Sequence, residues 1–191
     1  MLMRYLAAFF MLCASTSALA DAIDINLNNN TAQFQYGTAT PNSSQGQSDV
    51  HAGFLYNNSN SVLVNAGIMV QNNPDYTSGL SIGVGVEGLA AVIKDNPPTK
   101  SNATALALDG RVRYSPPGAS QLGFVGEVHY APNIISFADA TRYMLAMARV
   151  EYEISPEMKV YAGYRRISFG IKNGPNAVLD SGVHIGVKFG F

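Results

Sequence analysis

The last nine residues of the chain, Val183-His184-Ile185-Gly186-Val187-Lys188-Phe189-Gly190-Phe191, decide the fold. Successive side chains of a β-strand point to opposite faces. One face of this stretch therefore carries only aliphatic and aromatic side chains, and the other carries glycine, histidine and lysine. A soluble sheet turns such an apolar face to its core, whereas a membrane β-barrel turns it to lipid and the polar face to its lumen.

The same alternation of apolar and polar residues continues upstream of this strand. It divides the chain into about ten tracts, at 22–28, 31–37, 48–56, 62–70, 78–93, 102–114, 122–130, 142–154, 158–171 and 183–191. Most tracts are nine to sixteen residues long. A tilted strand needs about 9–11 residues to cross a bilayer, whereas strands of soluble proteins average about 5–6. The tract lengths therefore favour strands that span a membrane.

These tracts predict an all-β fold, a closed antiparallel transmembrane β-barrel of about ten strands. Eight strands is the alternative, if the first hairpin does not span. The turns at 115–121 and 155–157 are short and are expected on the periplasmic side. The segments 94–100, 131–141 and 172–178 are then expected outside the cell.

Three details of the pattern give further expectations. The adjacent Arg165 and Arg166 put a charge on each face of their tract, so either a bulge shifts the register or one arginine reaches the lipid headgroups. The segment 137–143 has room for at most one helical turn. Tyrosines near tract ends predict an interfacial girdle formed by Tyr36, Tyr56, Tyr114, Tyr130, Tyr143 and Tyr152.

The first twenty residues have the pattern of a secretory signal peptide. Arg4 precedes a short apolar run, and Ala18-Leu19-Ala20 gives a small-x-small cleavage site before Asp21. The run is too short to span a bilayer as a helix, and it contains the only cysteine, Cys13. We therefore expect residues 1–20 to be removed and residues 21–191 to form one barrel domain. Removing Arg4 changes the formal net charge from −1 to −2, which gives no reason to expect nucleic acid as a partner.

Several runs of sequence, spread in order over the whole mature chain, carry a resemblance to a known family. They are Asp24-Ile25-Asn26-Leu27, Gly53-Phe54-Leu55-Tyr56-Asn57, Leu106-Ala107-Leu108-Asp109-Gly110-Arg111-Val112-Arg113-Tyr114-Ser115-Pro116-Pro117, Gly126-Glu127-Val128-His129-Tyr130-Ala131-Pro132, Arg149-Val150-Glu151-Tyr152 and Gly163-Tyr164-Arg165-Arg166-Ile167. With these runs the chain resembles the YfaZ family of small Gram-negative outer-membrane proteins. The resemblance implies a barrel in the outer membrane and no particular activity.

The end of the chain also resembles the C-terminal recognition signal of bacterial outer-membrane barrels. Val187, Phe189 and the final Phe191 would form this assembly signal. The partners expected from it are the barrel-assembly machinery and outer-membrane lipid. We expect the barrel to be a monomer.

Charged side chains recur on the face opposite the apolar one and form a predicted lumen charge network. Its members are Glu87, Asp109, Arg111, Arg113, Glu127, Arg149, Glu151, Glu153, Arg165 and Lys188. Both signs occur on neighbouring strands, so cross-strand ion pairs are available. Either the charges pair and fill a narrow lumen, or they set the selectivity of a water-filled pore. We favour the packed lumen, because removing one partner of a buried ion pair is costly.

The sequence gives little support for a metal site or a cofactor. The histidines His51, His129 and His184 all fall on polar faces, but no His/Asp/Glu spacing enforces the three or four converging ligands that a metal needs. We therefore predict no metal site and no cofactor.

Four functions remain open at this stage. We expect a barrel with a structural or surface-interaction role that is not an enzyme. A small-solute pore is the first alternative. A lipid-modifying enzyme is the second, for which Ser168, Ser181 and His184 are the candidates near a strand end. The third is a soluble periplasmic barrel that binds an apolar ligand.

Overall fold

The computed structural model describes residues 20–39, 47–75, 79–94, 100–172 and 174–191. Nearly all of these residues lie in β-strands. The strands are β1 (Ala20–Asn28), β2 (Thr31–Ala39), β3 (Gln47–Asn57), β4 (Val62–Asp75), β5 (Leu80–Lys94), β6 (Lys100–Tyr114), β7 (Leu122–Ala131), β8 (Ser136–Ala138), β9 (Ala140–Ser155), β10 (Met158–Ile171) and β11 (Ala177–Gly190). The predicted signal peptide, apart from Ala20, and residues 95–99 of a predicted outer loop lie outside the described residues.

The strands close into an antiparallel barrel of ten strands. Each long strand pairs with its neighbours in chain order, and β1 pairs with β11 to complete the ring, from Ala22 opposite Gly190 to Asn28 opposite His184. The short β8 lies outside this ring and pairs only with β6. The first hairpin is part of the wall, so the prediction of ten strands is confirmed and the alternative of eight is wrong.

The two ends of the barrel differ. At the end with both chain termini, here called the terminal end, the backbones of Asp21 and Phe191 exchange two hydrogen bonds that extend the pairing of β1 with the end of the chain. The turns at 115–121 and 156–157 lie at this same end. Residues 132–139, 172 and 174–176 lie at the other end, here called the opposite end.

The segment between β7 and β9 differs from its prediction. It holds a single 3₁₀ turn at Asn133–Ile135, followed by β8. The segment 137–143, in which at most one helical turn is predicted, contains no helical turn. Residues 136–138 pair with residues 103–105 of β6, and 140–143 already belong to β9, so pairing with neighbouring strands replaces helical hydrogen bonds.

The face that each arginine of β10 occupies is clear in the structure. Arg165 points into the barrel and is buried, whereas Arg166 is exposed on the outside. A register shift does occur nearby, between Ile167 and Ser168, and the extra residue lies on β11. Because of this bulge, Leu179 and the adjacent Asp180 both face the interior.

The outer surface of the barrel is a belt of exposed aliphatic and aromatic side chains. On β11 the predicted faces are confirmed: Val183, Ile185 and Phe189 are exposed, whereas His184 is buried inside. Tyr143 is an exception to the predicted girdle, because its ring is buried inside the barrel. Among the described residues, no helix is long and apolar enough to cross a bilayer.

Candidate functional site in the barrel interior

The interior of the barrel has two chemically different parts. Towards the opposite end, large apolar side chains fill it and form what we call the apolar plug. The plug consists of Leu55, Leu63, Leu89, Ile93, Tyr143, Ile167, Phe169 and Leu179, and none of these is more than 4% exposed. The rings of Tyr143 and Phe169 pack together with centroids 5.0 Å apart. Buried alanines of β5, β6 and β9 complete this layer.

One fully buried ion pair lies beside the plug. The Arg165 guanidinium donates to Asp180, with Nη2–Oδ2 and Nε–Oδ2 distances of 2.6 and 2.7 Å. Asn28 donates to the second oxygen of Asp180 at 2.5 Å. Arg165 also donates to Gln33 and to Thr31, so most of its donors are satisfied. This geometry depends on the β11 bulge, which turns Asp180 inward.

Towards the terminal end the interior is a cavity of about 410 Å³, here called the vestibule. Its rim includes Asp21 and Gly190 beside the chain termini, and its floor includes Leu55 and Tyr143 of the plug. The vestibule is therefore open at the terminal end and ends on the plug. Both signs of charge line its wall.

Ion pairs organise one side of the vestibule. Glu151 of β9 accepts from Arg113 of β6 and from Arg149, the latter at 2.8 Å. The Arg149 guanidinium also lies over the Tyr161 ring, 4.5 Å from its centroid. Tyr161 in turn donates to Asp24 of β1. These contacts join β1, β6, β9 and β10 across the interior.

Two further pairs lie on the vestibule wall. Arg111 donates to Glu127 across β6 and β7 at 2.6 Å. Lys159 and Glu153 pair at 3.1 Å at the rim, where their side chains are 31% and 34% exposed. Among the described residues, Lys188 and Asp109 are the members of the predicted charge network whose side chains make no hydrogen bond, and no ion pair with an arginine, a lysine or a carboxylate. Neither of them pairs with an oppositely charged member of the network.

Three buried side chains from adjacent strands form a separate group, here called the histidine–carboxylate cluster: Glu87, Asp109 and His129. His129 Nδ1 lies 3.2 Å from Asp109 Oδ1 and 3.5 Å from Glu87 Oε1. His129 Nε2 lies 3.7 Å from Glu127 Oε2. Glu87 Oε2 accepts from Asn65 at 2.7 Å and lies 3.3 Å from His51 Nε2. Glu87 and His129 both line the vestibule.

The structure thus divides the predicted charge network among three places. All ten members face the interior, but Arg165 lies beside the plug and Glu87 and Asp109 belong to the cluster with His129. The remaining seven line the vestibule or its rim. Asp24 and Asn65 are not among the predicted site residues, although both lie on the polar face of an alternating tract. Asp180 is not among them either, because the bulge reverses the alternation there.

The candidate residues for a lipid-modifying enzyme do not form a site. Ser181 faces outward, where its hydroxyl lies 3.0 Å from the Tyr164 hydroxyl. His184 faces inward and packs edge-on against Tyr161. Ser168 also lies at an outward-facing position of its strand. A nucleophile and a base on opposite faces of a wall cannot exchange a proton, so these three residues are not a catalytic group.

The chain has similarity to known structures of barrels. A structure described as "KdgM porin" is 8% identical, covering 90% of this chain and 99% of that one with a TM-score of 0.47. A structure described as "NanC porin" is 14% identical with the same coverage and a TM-score of 0.47. No curated protein sequence matches the chain. Because these TM-scores are low, the fold assignment rests on the strand pairing itself.

The closed barrel and its belt of apolar side chains agree with the predicted location. Closure pairs the strands all the way round the ring, as strands that lie in lipid require, and the outward apolar belt is typical of outer-membrane barrels. The protein is therefore an integral barrel of the bacterial outer membrane. A family model described as "YfaZ precursor", a wording that agrees with a cleaved signal peptide, matches residues 2–191. The chain belongs to the YfaZ family.

Proposed function

We propose that this protein is a closed outer-membrane barrel, not an open channel, and that its interior is a blind vestibule open towards the periplasm. The single observation that carries the proposal is the apolar plug. The surface at the opposite end would then carry a structural or surface-interaction role. The proposal treats the barrel as a monomer without enzymatic activity.

The exposure of the plug supports a closed interior. A water-filled passage leaves the side chains on its wall accessible to water, but the plug residues are at most 4% exposed. Closely packed apolar side chains also offer no polar partner to a water molecule, and apolar sites of this kind stay dry. An ion crossing this layer would lose its hydration without compensation.

The pairing of charges in the vestibule supports the same function. Each of the three vestibule arginines, Arg111, Arg113 and Arg149, contacts a carboxylate. Their charges are therefore neutralised and are not available to attract permeating anions. Most charges of this wall hold neighbouring strands together instead. At the opposite end, Ile134 and Phe137 are exposed apolar side chains on the segment between β7 and β9, which suits contact with another surface.

Single-channel conductance of refolded protein in a planar bilayer tests this proposal. We expect no conductance steps from the native barrel. The double variant Tyr143→Ala/Phe169→Ala removes the two stacked rings of the plug and is expected to conduct in discrete steps. Each truncation costs about 3–5 kcal/mol of stability, so the heat-dependent gel shift should first establish that the variant is folded.

The matched control removes two exposed rings from the outside of the wall, as Phe124→Ala/Tyr130→Ala. This control is expected to remain silent. Reproducible steps from the native protein would contradict the proposal and favour the small-solute pore. A folded double variant that stays silent would contradict the assignment of closure to Tyr143 and Phe169.

The small-solute pore remains the second candidate, and the vestibule is the observation that favours it. Its volume of about 410 Å³ admits a small solute, and its wall carries charges of both signs. In that case the plug would have to move aside. The conductance experiment separates the two functions directly.

A further inference from the structure

We propose that the histidine–carboxylate cluster of Glu87, Asp109 and His129 binds a divalent transition-metal cation of the Zn²⁺ class. The cluster lies near mid-height of the barrel, on the wall of the vestibule. The three residues come from β5, β6 and β7, and one ligand atom of each lies within 4.8 Å of the others. Imidazole nitrogen and carboxylate oxygen together are ligands that Zn²⁺ accepts.

The cluster contains buried polar atoms without hydrogen bonds. Both oxygens of Asp109 and both ring nitrogens of His129 have no hydrogen-bond partner among the described residues. The two residues are only 5% and 6% exposed. Buried polar groups are nearly always satisfied, because leaving them unsatisfied is costly. A cation held between Asp109 and His129 Nδ1 would supply a partner for these atoms.

The spacing of the ligand atoms in the cluster suits a single metal ion. Zn²⁺ binds imidazole nitrogen and carboxylate oxygen at about 2.0–2.2 Å, so neighbouring ligands of a tetrahedral site lie about 3.4 Å apart. His129 Nδ1 lies 3.2 Å from Asp109 Oδ1 and 3.5 Å from Glu87 Oε1. Both separations suit one cation shared by the three side chains.

The residues around the cluster hold its side chains as neighbouring residues do in metal sites. A histidine ligand usually directs its second nitrogen at a carboxylate, and His129 Nε2 faces Glu127 Oε2 at 3.7 Å. Arg111 fixes Glu127 in turn. Asn65 donates to Glu87 Oε2 at 2.7 Å, which leaves Oε1 directed towards His129.

Charge and access also suit a cation. With neutral histidines, the three carboxylates of Glu87, Asp109 and Glu127 outnumber the two guanidinium groups that act on Glu127, those of Arg111 and Arg149, so the group has an excess of negative charge. Glu87 and His129 line the vestibule, which gives a route of entry from the terminal end. His51 lies beside the cluster, with its Nε2 3.3 Å from Glu87 Oε2.

Isothermal titration of the refolded, tag-free, full-length mature barrel with Zn²⁺ tests the proposal. We expect one ion per barrel in the native protein. His129→Gln and Asp109→Asn should each weaken binding at least tenfold. Loss of the carboxylate behind the histidine in Glu127→Gln should weaken binding by about 10–100-fold. The rim variant Glu153→Gln, which removes a carboxylate outside the cluster, should bind as the native protein does.

Two results would overturn the proposal. One is a native barrel that takes up no stoichiometric Zn²⁺, in which case His129 pairs with Asp109 and Glu87 only as a charged histidine. The other is equal binding by folded His129→Gln and native protein. Because a variant can fail to fold, X-ray absorption of the zinc-loaded native barrel gives a second measurement. A shell with one imidazole nitrogen and further oxygens supports the site, and a shell without imidazole contradicts it.

Discussion

The plug and the vestibule occupy the same barrel, are built from the same ten strands and have opposite chemistry. In the plug, inward positions carry leucine, isoleucine, alanine and two aromatic rings, and these side chains are buried. In the vestibule, inward positions carry arginine, glutamate and aspartate around an open cavity. The outer face does not change between them, because both halves meet lipid there. The chemistry of the inward-facing side chains therefore changes along the barrel, while that of the outward-facing side chains stays the same.

This difference separates two ways of stabilising a barrel interior. The plug is stabilised by close packing, in which each buried side chain contributes through its contacts and its removal from water. The vestibule is stabilised by ion pairs that keep access to water, and such pairs contribute less as exposure increases. The Arg165–Asp180 pair is the instructive case, because it is ionic but buried beside the plug.

The largest effect is expected from breaking this buried pair. Arg165→Met leaves Asp180 buried without its cation, and the loss of one partner from such a pair costs about 3–5 kcal/mol. Urea unfolding of the refolded variant in lipid vesicles measures this loss as a lower midpoint. If the free energy of unfolding falls by less than about 1 kcal/mol, the pair behaves as an exposed one.

A double variant sharpens the same test. In Arg165→Met/Asp180→Leu both charges are replaced by apolar groups that resemble the adjacent plug. Replacement of a whole buried pair in this way is often neutral or stabilising. We therefore expect the double variant to be more stable than Arg165→Met alone. Equal instability of the two variants would show that the bulge at Leu179 requires Asp180 for its geometry.

Much of the fold could be predicted from the sequence because each strand of the wall has lipid on one face and the barrel interior on the other. The period-two alternation follows directly from lipid outside and side chains inside. This alternation correctly predicts ten strands and the inward orientation of His184 and Lys188. The exceptions have local physical causes, namely the extra residue beside Asp180 and the pairing of 136–138 with β6.

The interior was less predictable, because alternation shows that a side chain faces inward but does not give its height in the barrel. Tyr143 and Glu87 both face inward, but one lies in the plug and the other in the cluster. Height depends on the register of neighbouring strands. Asp109 and His129 are directly opposite in the β6–β7 pairing, although twenty residues separate them in sequence.

An intermediate effect is expected where a ring and a strand backbone meet in the vestibule. A Cβ atom at Gly186 of β11 would collide with the Tyr161 ring. Gly186→Ala should displace that ring from Arg149 and cost about 1–3 kcal/mol. The control is Gly182→Ala on the same face of β11, where the nearest atom, Asn28 Nδ2, is 3.8 Å from the added Cβ. Equal stability of the two variants in urea would mean that Tyr161 moves aside without loss.

The smallest effect is expected at the rim of the vestibule, where the Lys159–Glu153 pair lies in contact with water. Both side chains are about one-third exposed, at 31% and 34%. Exposed ion pairs contribute about 0–1 kcal/mol, and salt screens them. Lys159→Met should therefore lower the midpoint of urea unfolding only slightly, and this difference should shrink further in 0.5–1 M salt, where the screening length falls to about 3–4 Å. A large loss of stability that does not depend on salt would mean that the rim pair, like the Arg165–Asp180 pair, is shielded from water. The two halves of the interior would then differ in charge but not in their exposure to water.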